Sequence, residues 1–339
     1  MTRSGPSSSG PAVTRLAPYD FAAPWGAASF VTDLDGPVHW IEFSPAEDQA
    51  RDQVDENPDK THELPIVFVH GLGGSHLNWC LIGPALAAGR RVVALDLHGF
   101  GLTPGLRANS TVQANTRLVD RFITEVIGTP VILVGNSMGG LISILETAAN
   151  PGMIRGLVLI DPALPLPPQK PDWEVSGQFL LYTLPGLAPL VVARLLSSVS
   201  PEEAVRQLIK LCFADPARAD PEMTKAEVAL AARRHPANSA QASARARIFL
   251  AAARSLLRVL ARRGSYYAKM AGIGVPVLLI GGEADRLVPV AAIRQAAARN
   301  PHWESVFLAD VGHVPQLEVP DVVAATIRDW LSRHFSAGE

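Results

Sequence analysis

A mostly parallel α/β sheet with helices on both faces and a helical insertion is predicted by three observations on the 339-residue chain. From Leu64 onward, short apolar runs alternate with longer helical patterns, as in a sheet covered on both sides. The β-branched run at residues 130–134 turns through a glycine-flanked serine into an apolar, proline-free stretch. From Ala163 to about Ala271 the alternation stops and only helical patterns remain.

Composition agrees with one large domain carrying an inserted lobe. Hydrophobic residues make up 48% and charged residues 18%, enough for a substantial core. A formal net charge of −2 gives no electrostatic case for a nucleic-acid partner or an anionic membrane surface. The two cysteines, Cys80 and Cys212, form no disulfide framework or metal-ligand spacing and suit a reducing, cytoplasmic compartment. Residues 1–11 are Ser/Gly/Pro-rich without the apolar run of a secretory signal, and residues 1–18 read as a disordered tail.

Taken in order, residues 28–32 and 38–43 alternate like the strands of a hairpin, and the acidic stretch 46–63 reads as a solvated loop. Strands are expected at 66–69, 91–95, the serine strand, 156–160, 275–281 and 305–308. Helices are expected at 77–88, 112–127, after the serine, 290–299 and 319–334. Within the insertion, residues 205–213, 225–232 and 242–261 carry apolar residues at helical spacing. The apolar segment 179–196 approaches membrane-spanning length. Pro185-Gly186 and Pro189 break it, so two short helices are expected, with a lipid-facing surface compatible with them.

The stretch Gly135-Asn136-Ser137-Met138-Gly139 fits G-x-S-x-G between a strand and a helix. That pattern describes a sharp turn holding a serine at its apex in a strained conformation, with its hydroxyl at a helix N-terminus. Such a serine needs a base to take its proton and an acid to orient that base. Asp285 and His313 follow two late strands, at the carboxyl edge where loops converge. With Ser137 they run in the order serine, acid, histidine. Asp161, ending the strand after the serine helix, and Asp310, three residues before His313, remain alternative acids. His70 reads as a structural histidine, His98 carries no assigned role, and His76 is a candidate pocket residue. No His/Cys/carboxylate spacing suggests a metal, and Gly71-x-Gly73-Gly74 lacks the lysine and spacing of a phosphate loop, so no cofactor is expected.

Five separated motifs carry a resemblance: residues 70–74 (His-Gly-Leu-Gly-Gly), 96–101 (Asp-Leu-His-Gly-Phe-Gly), 135–140, 283–289 and Gly312-His313. Together, from Leu64 to the C-terminus, they resemble the large family of α/β-hydrolase-fold enzymes with a helical cap. The resemblance implies a core of residues 19–162 and 272–339 and a cap of residues 163–271. It also implies Ser137 as nucleophile, His313 as general base and acid, and Asp285 as the orienting acid. An oxyanion hole from the backbone N–H groups of Leu72 and Met138 is implied as well.

Haloalkane dehalogenases and epoxide hydrolases of this fold carry aspartate at the elbow, so serine points instead to acyl transfer. Hydrolysis of a small-molecule carboxylic ester is the leading expectation. The apolar segment that includes Phe179 suggests a hydrophobic acyl or aryl group, and peripheral lipid contact is compatible with it. The alternative is a carbon–carbon bond hydrolase of the meta-cleavage-product type, which the chain resembles at residues 135–140. Against it stand Leu72-Gly73-Gly74-Ser75-His76 in the oxyanion loop and Val314, where those enzymes usually have a tryptophan. A non-catalytic relative that binds a hydrophobic ligand is a third reading.

Overall fold

A computed structural model describes residues 11–16, 20–44, 63–166, 177, 181–184 and 186–335. The expected acidic loop and Phe179 lie outside the described residues, apart from Glu63. Among the described residues, nine strands form one sheet in the order β1-β2-β3-β5-β4-β6-β7-β8-β9. They are β1 (Val13–Arg15), β2 (Ala27–Asp33), β3 (Pro37–Phe43), β4 (Ile66–Val69), β5 (Val92–Leu95), β6 (Val131–Asn136), β7 (Ile154–Ile160), β8 (Val277–Gly282) and β9 (Glu304–Leu308). The first three are antiparallel, as is β3 against β5, and every pair from β5 to β9 is parallel. Part of the expected tail, Val13–Arg15, thus pairs with β2 as an edge strand.

The side-chain period of two divides the strands cleanly. Val67, Val69, Leu133, Leu157, Leu159 and Leu279 pack on one face. Ile66, Phe68, Ile132, Val134, Val158 and Ile280 pack on the other. Both faces are dry, so these strands read as continuous apolar runs, and each fully buried side chain contributes about 1.5–3 kcal/mol.

Beside the strands lie α1 (Gly83–Leu86), α2 (Val112–Arg121), α3 (Met138–Ala149), α4 (Leu187–Ser198), α5 (Pro201–Cys212), α6 (Pro221–Arg234), α7 (Ser239–Ala261), α8 (Arg263–Ala271), α9 (Val290–Arg299), α10 (Pro315–Glu318) and α11 (Pro320–Phe335). Helix α3 fills the first face with Leu141, Ile142 and Ile144. Helix α11 fills the second with Val323, Ile327 and Trp330.

One expected helix differs. Residues 77–88 form a single 3-10 turn, His76–Trp79, followed by the one-turn α1. Ser75 accepts from the Leu77 N–H, and the Asn78 side chain accepts from the Ser75 N–H, which closes the turn locally. Pro84 then starts a new turn, because it cannot donate into the preceding one. The expected helix over 112–127 begins as α2 and ends as a π-helical turn, Phe122–Ile127.

Between β7 and β8 the described residues form helices and connections only. Helices α5, α6 and α7 start earlier than their apolar spacing suggests, because Ser200, Asp220 and Asn238 cap them. Each such cap contributes about 1 kcal/mol. Helix α4 packs on α7 through Ala188 and Val192 against Ala246, Leu250 and Ala253, while Leu187, Leu190 and Leu195 stay exposed. Among the described residues no helix is long and apolar enough to cross a membrane.

The sheet order decides where chemistry can gather. The chain crosses from β5 past β4 to β6, so the loops leaving β4 and β6 diverge at a switch point, where open α/β sheets form their crevice. The loops after β7, β8 and β9 leave the same edge, side by side.

Candidate active site

The turn after β6 holds Ser137 at φ 55° and ψ −120°, a left-handed conformation that costs a non-glycine residue about 1–3 kcal/mol. Neighbouring backbone holds it there. The Ser137 N–H donates to the Ile160 carbonyl at 3.1 Å, and its carbonyl accepts from Ala163 at 2.9 Å and Leu141 at 3.1 Å. Gly139 is required because a Cβ there would collide with the carbonyls of Val69 and His70. The serine strand, β4 and the start of α3 are thereby pressed together.

The loop after β4 lies against this turn. A Cβ on Gly71 would stand 3.0 Å from that of Ser137. His70 anchors the loop: its Nδ1 donates to the Gly71 carbonyl at 2.8 Å, and its Nε2 accepts from the Leu97 N–H at 3.1 Å. Burial lowers its pKa to about 4. With both nitrogens engaged and the ring neutral, His70 is a structural histidine. Leu72, next in the loop, lines the cavity above Ser137, and Met138 is the first residue of α3.

His313 Nδ1 lies 2.7 Å from Asp285 Oδ2. The other Asp285 oxygen accepts from the N–H groups of Leu287 at 2.7 Å and Val288 at 3.0 Å, which fixes the carboxylate plane. Two contacts hold the His313 backbone and a third holds Gly312 before it. The His313 N–H donates to the Cys212 carbonyl at the end of α5, its carbonyl accepts from Asn136 Nδ2 at 3.1 Å, and Gly312 N–H donates to Glu318 at 2.7 Å. Glu318 also accepts from the N–H groups of Ala214 and Asp215, so one buried carboxylate joins the histidine loop to the end of α5.

The alternative acids are accounted for separately. Asp310 is exposed, and its carbonyl accepts from Arg218. Asp161 is fully buried beside Asp285 and accepts from the Gly282 N–H at 3.0 Å. Burial first, then the Asp285 charge, raise its pKa well above the carboxylate range, and it hydrogen-bonds Asp285. Asp161 thus neighbours Asp285, and Asp285 is the carboxylate that faces His313.

The expectation for His76 is corrected. Its ring is fully buried against Asp96, at 2.9 Å from Nδ1 to Oδ2, and it is absent from the cavity wall. His39 meets the same carboxylate oxygen at 2.7 Å. Burial lowers the His39 pKa. The three groups lie close enough to share a metal ion. Asp96, however, already accepts from both rings and from the N–H groups of His76 and Leu102. The set is a hydrogen-bonded strut joining β3 and the segments that follow β4 and β5.

Ser137 and His313 both line a cavity of about 580 Å³, within the range of small-molecule sites. Its walls are mainly apolar and come from core loops and from α5, α6 and α7. Leu166 and Leu208 line it while remaining half exposed, which makes its mouth apolar too. Sequence reasoning missed Glu318, the Asn136 amide and a cavity-lining carboxyl, Glu227. The only signal for Glu318 was a charge inside an otherwise buried run.

A family model described as "Alpha/beta hydrolase family" matches residues 66–326. The chain is 28% identical over 277 residues to a dihydrolipoyllysine-residue acetyltransferase component of an acetoin cleaving system from Pseudomonas putida, covering 80% of this chain and 64% of that protein. It is 27% identical over 278 residues to a pimeloyl-[acyl-carrier protein] methyl ester esterase from Xanthomonas oryzae pv. oryzae (strain MAFF 311018), covering 80% and 96%. It is 24% identical over 276 residues to a 2-hydroxy-6-oxononadienedioate/2-hydroxy-6-oxononatrienedioate hydrolase from Cupriavidus pinatubonensis, covering 78% and 86%.

Proposed function

The chain belongs to the alpha/beta hydrolase family, and from that membership we propose that it is a serine hydrolase cleaving a carboxylic ester through an acyl-enzyme on Ser137. The observation that carries this reading is the 2.7 Å contact between Asp285 and His313 Nδ1, on a cavity shared with a strained serine. Asp285 keeps the Nδ1–H tautomer, which leaves the His313 Nε2 lone pair free to take a proton.

Ser137 Oγ attacks the ester carbonyl as its proton passes to His313 Nε2. The carbonyl oxygen becomes an oxyanion, stabilised by the N–H groups of Met138 and Leu72 and by the N-terminus of α3. Collapse expels the alcohol, which leaves with the proton from His313. Water then attacks the acyl-enzyme, giving its proton to His313, and the second collapse returns that proton to Ser137 and releases the acid.

The helices within residues 163–271 act as a cap over a core of 19–162 and 272–339, since the cavity draws its walls from both. The apolar walls and mouth support a hydrophobic acyl or aryl group. The likeness to the methyl ester esterase supports ester cleavage, while the likeness to the oxononadienedioate hydrolase favours carbon–carbon hydrolysis as the second reading. A p-nitrophenyl ester series from acetate to palmitate, assayed beside a dienoic ring-cleavage product, tests both. The ester reading predicts turnover of the series with a preference above acetate. Much faster turnover of the dienoate would replace it with the second reading.

A further inference from the structure

Among the described residues, α5, α6 and α7 each turn a face toward the cavity, and one of them does not match the others. Helix α5 presents Leu208 and Ile209, and α7 presents Leu256 and Leu260, all apolar. Helix α6 presents Asp220, Met223, Thr224 and Glu227, spaced three, four and seven residues apart on one helical face. Asp220 is occupied as the cap of α6, accepting from the Met223 N–H at 2.7 Å. The Thr224 hydroxyl donates to the Asp220 carbonyl at 2.8 Å. Glu227 is different. Among the described residues it has no hydrogen-bond or ion-pair partner, although it lines the cavity and surrounding protein desolvates it. Arg234, seven residues on at the end of α6, donates instead to the Gly99 carbonyl at 2.8 Å.

A polar group held in apolar surroundings without a partner is unfavourable, and a matching donor offsets that penalty. A leucine at 227 would continue the apolar lining. A carboxyl acts only on something that enters the cavity with a donor. Resting on the serine-hydrolase reading, we propose that Glu227 is a specificity group, accepting a hydrogen bond from a hydroxyl or ammonium carried by the ester away from its reacting carbonyl. The substrate is then an amphiphilic ester, its apolar part against α5 and α7 and its donor-bearing part against α6. The groups facing Glu227 tune its charge. Burial raises its pKa to about 7, His76 and Arg234 lower it, and Asp96 raises it. An ammonium is therefore bound more tightly as pH rises through about 7, where Glu227 ionises, whereas a hydroxyl needs only an acceptor.

The test uses the full chain as wild type, Glu227→Gln and Glu227→Leu. One ester series is hexyl, 6-hydroxyhexyl and 6-aminohexyl butyrate. The other is methyl octanoate with its 8-hydroxy and 8-amino derivatives, so the donor sits on the alcohol in one and on the acid in the other. The readout is kcat/KM of each donor-bearing ester relative to its plain partner. Wild type should prefer a donor at least tenfold in one series, and Glu227→Leu should erase that preference. Glu227→Gln, which keeps an acceptor without the charge, should retain a hydroxyl preference. It should lose an ammonium preference together with its rise through pH 7. Ratios equal in wild type and Glu227→Leu in both series, with Ser137 still labelled by a fluorophosphonate in each protein, would overturn the inference alone. Absence of ester turnover and of Ser137 labelling in wild type would overturn the hydrolase reading beneath it.

Discussion

Replacing Asp285 by asparagine changes one atom, and the hydrogen bonds around it determine the consequence. In the native site one Asp285 oxygen accepts from the Leu287 and Val288 N–H groups, and the other faces His313 Nδ1 at 2.7 Å. An asparagine must keep its carbonyl oxygen toward the two backbone donors, so its NH2 faces His313. The ring then accepts at Nδ1 and carries its proton on Nε2, where it cannot take the proton of Ser137. Restoring the productive tautomer requires flipping the amide, which leaves two buried donors unpaired at roughly 1–3 kcal/mol each. The expected loss in kcat is on the order of 10³–10⁴, or about 4–5.5 kcal/mol of barrier. Asp161→Asn is the control. Its amide oxygen can still accept from Gly282 and Asp285 keeps its contact with His313, so activity should stay within about tenfold of wild type. Steady-state hydrolysis of a p-nitrophenyl ester measures both, with circular dichroism showing that each variant is folded. If Asp285→Asn stays within tenfold of wild type while Asp161→Asn collapses, the orienting acid has been misassigned.

Two further outcomes follow from the structure. Leu72→Ala should be mild and Leu72→Pro severe, because only proline removes the backbone donor, whose loss costs about 2.7–4 kcal/mol of transition-state stabilisation; equal effects in kcat would count against an oxyanion role for Leu72. Glu146, 2% exposed, is raised from 4.5 to about 7, by burial first and then the Asp120 charge. Its contribution to stability is thus complete below pH 4.5 and lost as pH rises through about 7, and Glu146→Gln should gain at most about 3 kcal/mol over wild type above that pH. Urea unfolding at pH 4.5 and pH 8 reads the difference, and a gain confined to the lower pH would contradict it.

Much of this fold is written in local pattern. The buried strands announce themselves because both faces of a parallel sheet are apolar, and the serine turn because close approach of Val69 and His70 requires glycine at 139. Where short-range chemistry competes with periodicity, the pattern misleads. Residues 77–88 have helical spacing, yet the Ser75 and Asn78 side chains close a single turn and Pro84 begins another. Contacts between distant segments leave no mark. His76 reads as a pocket residue until Asp96, twenty positions on, and His39 draw it beneath the loop. Glu227, within a charged and helical stretch, looks like any residue of a solvated face until α6 is docked over the cavity. Asp161 and Asp285 look like competing acids in sequence; in space one supports the other.

The central claim is a covalent acyl intermediate on Ser137, and locating that bond tests it most directly. Full-length protein mixed with a slowly deacylating p-nitrophenyl ester, quenched within milliseconds and digested, should carry the acyl mass on the peptide containing Ser137. The Ser137→Ala protein should carry none and show no burst of p-nitrophenolate. An acyl adduct on another residue, or an undiminished burst from Ser137→Ala, would contradict the account.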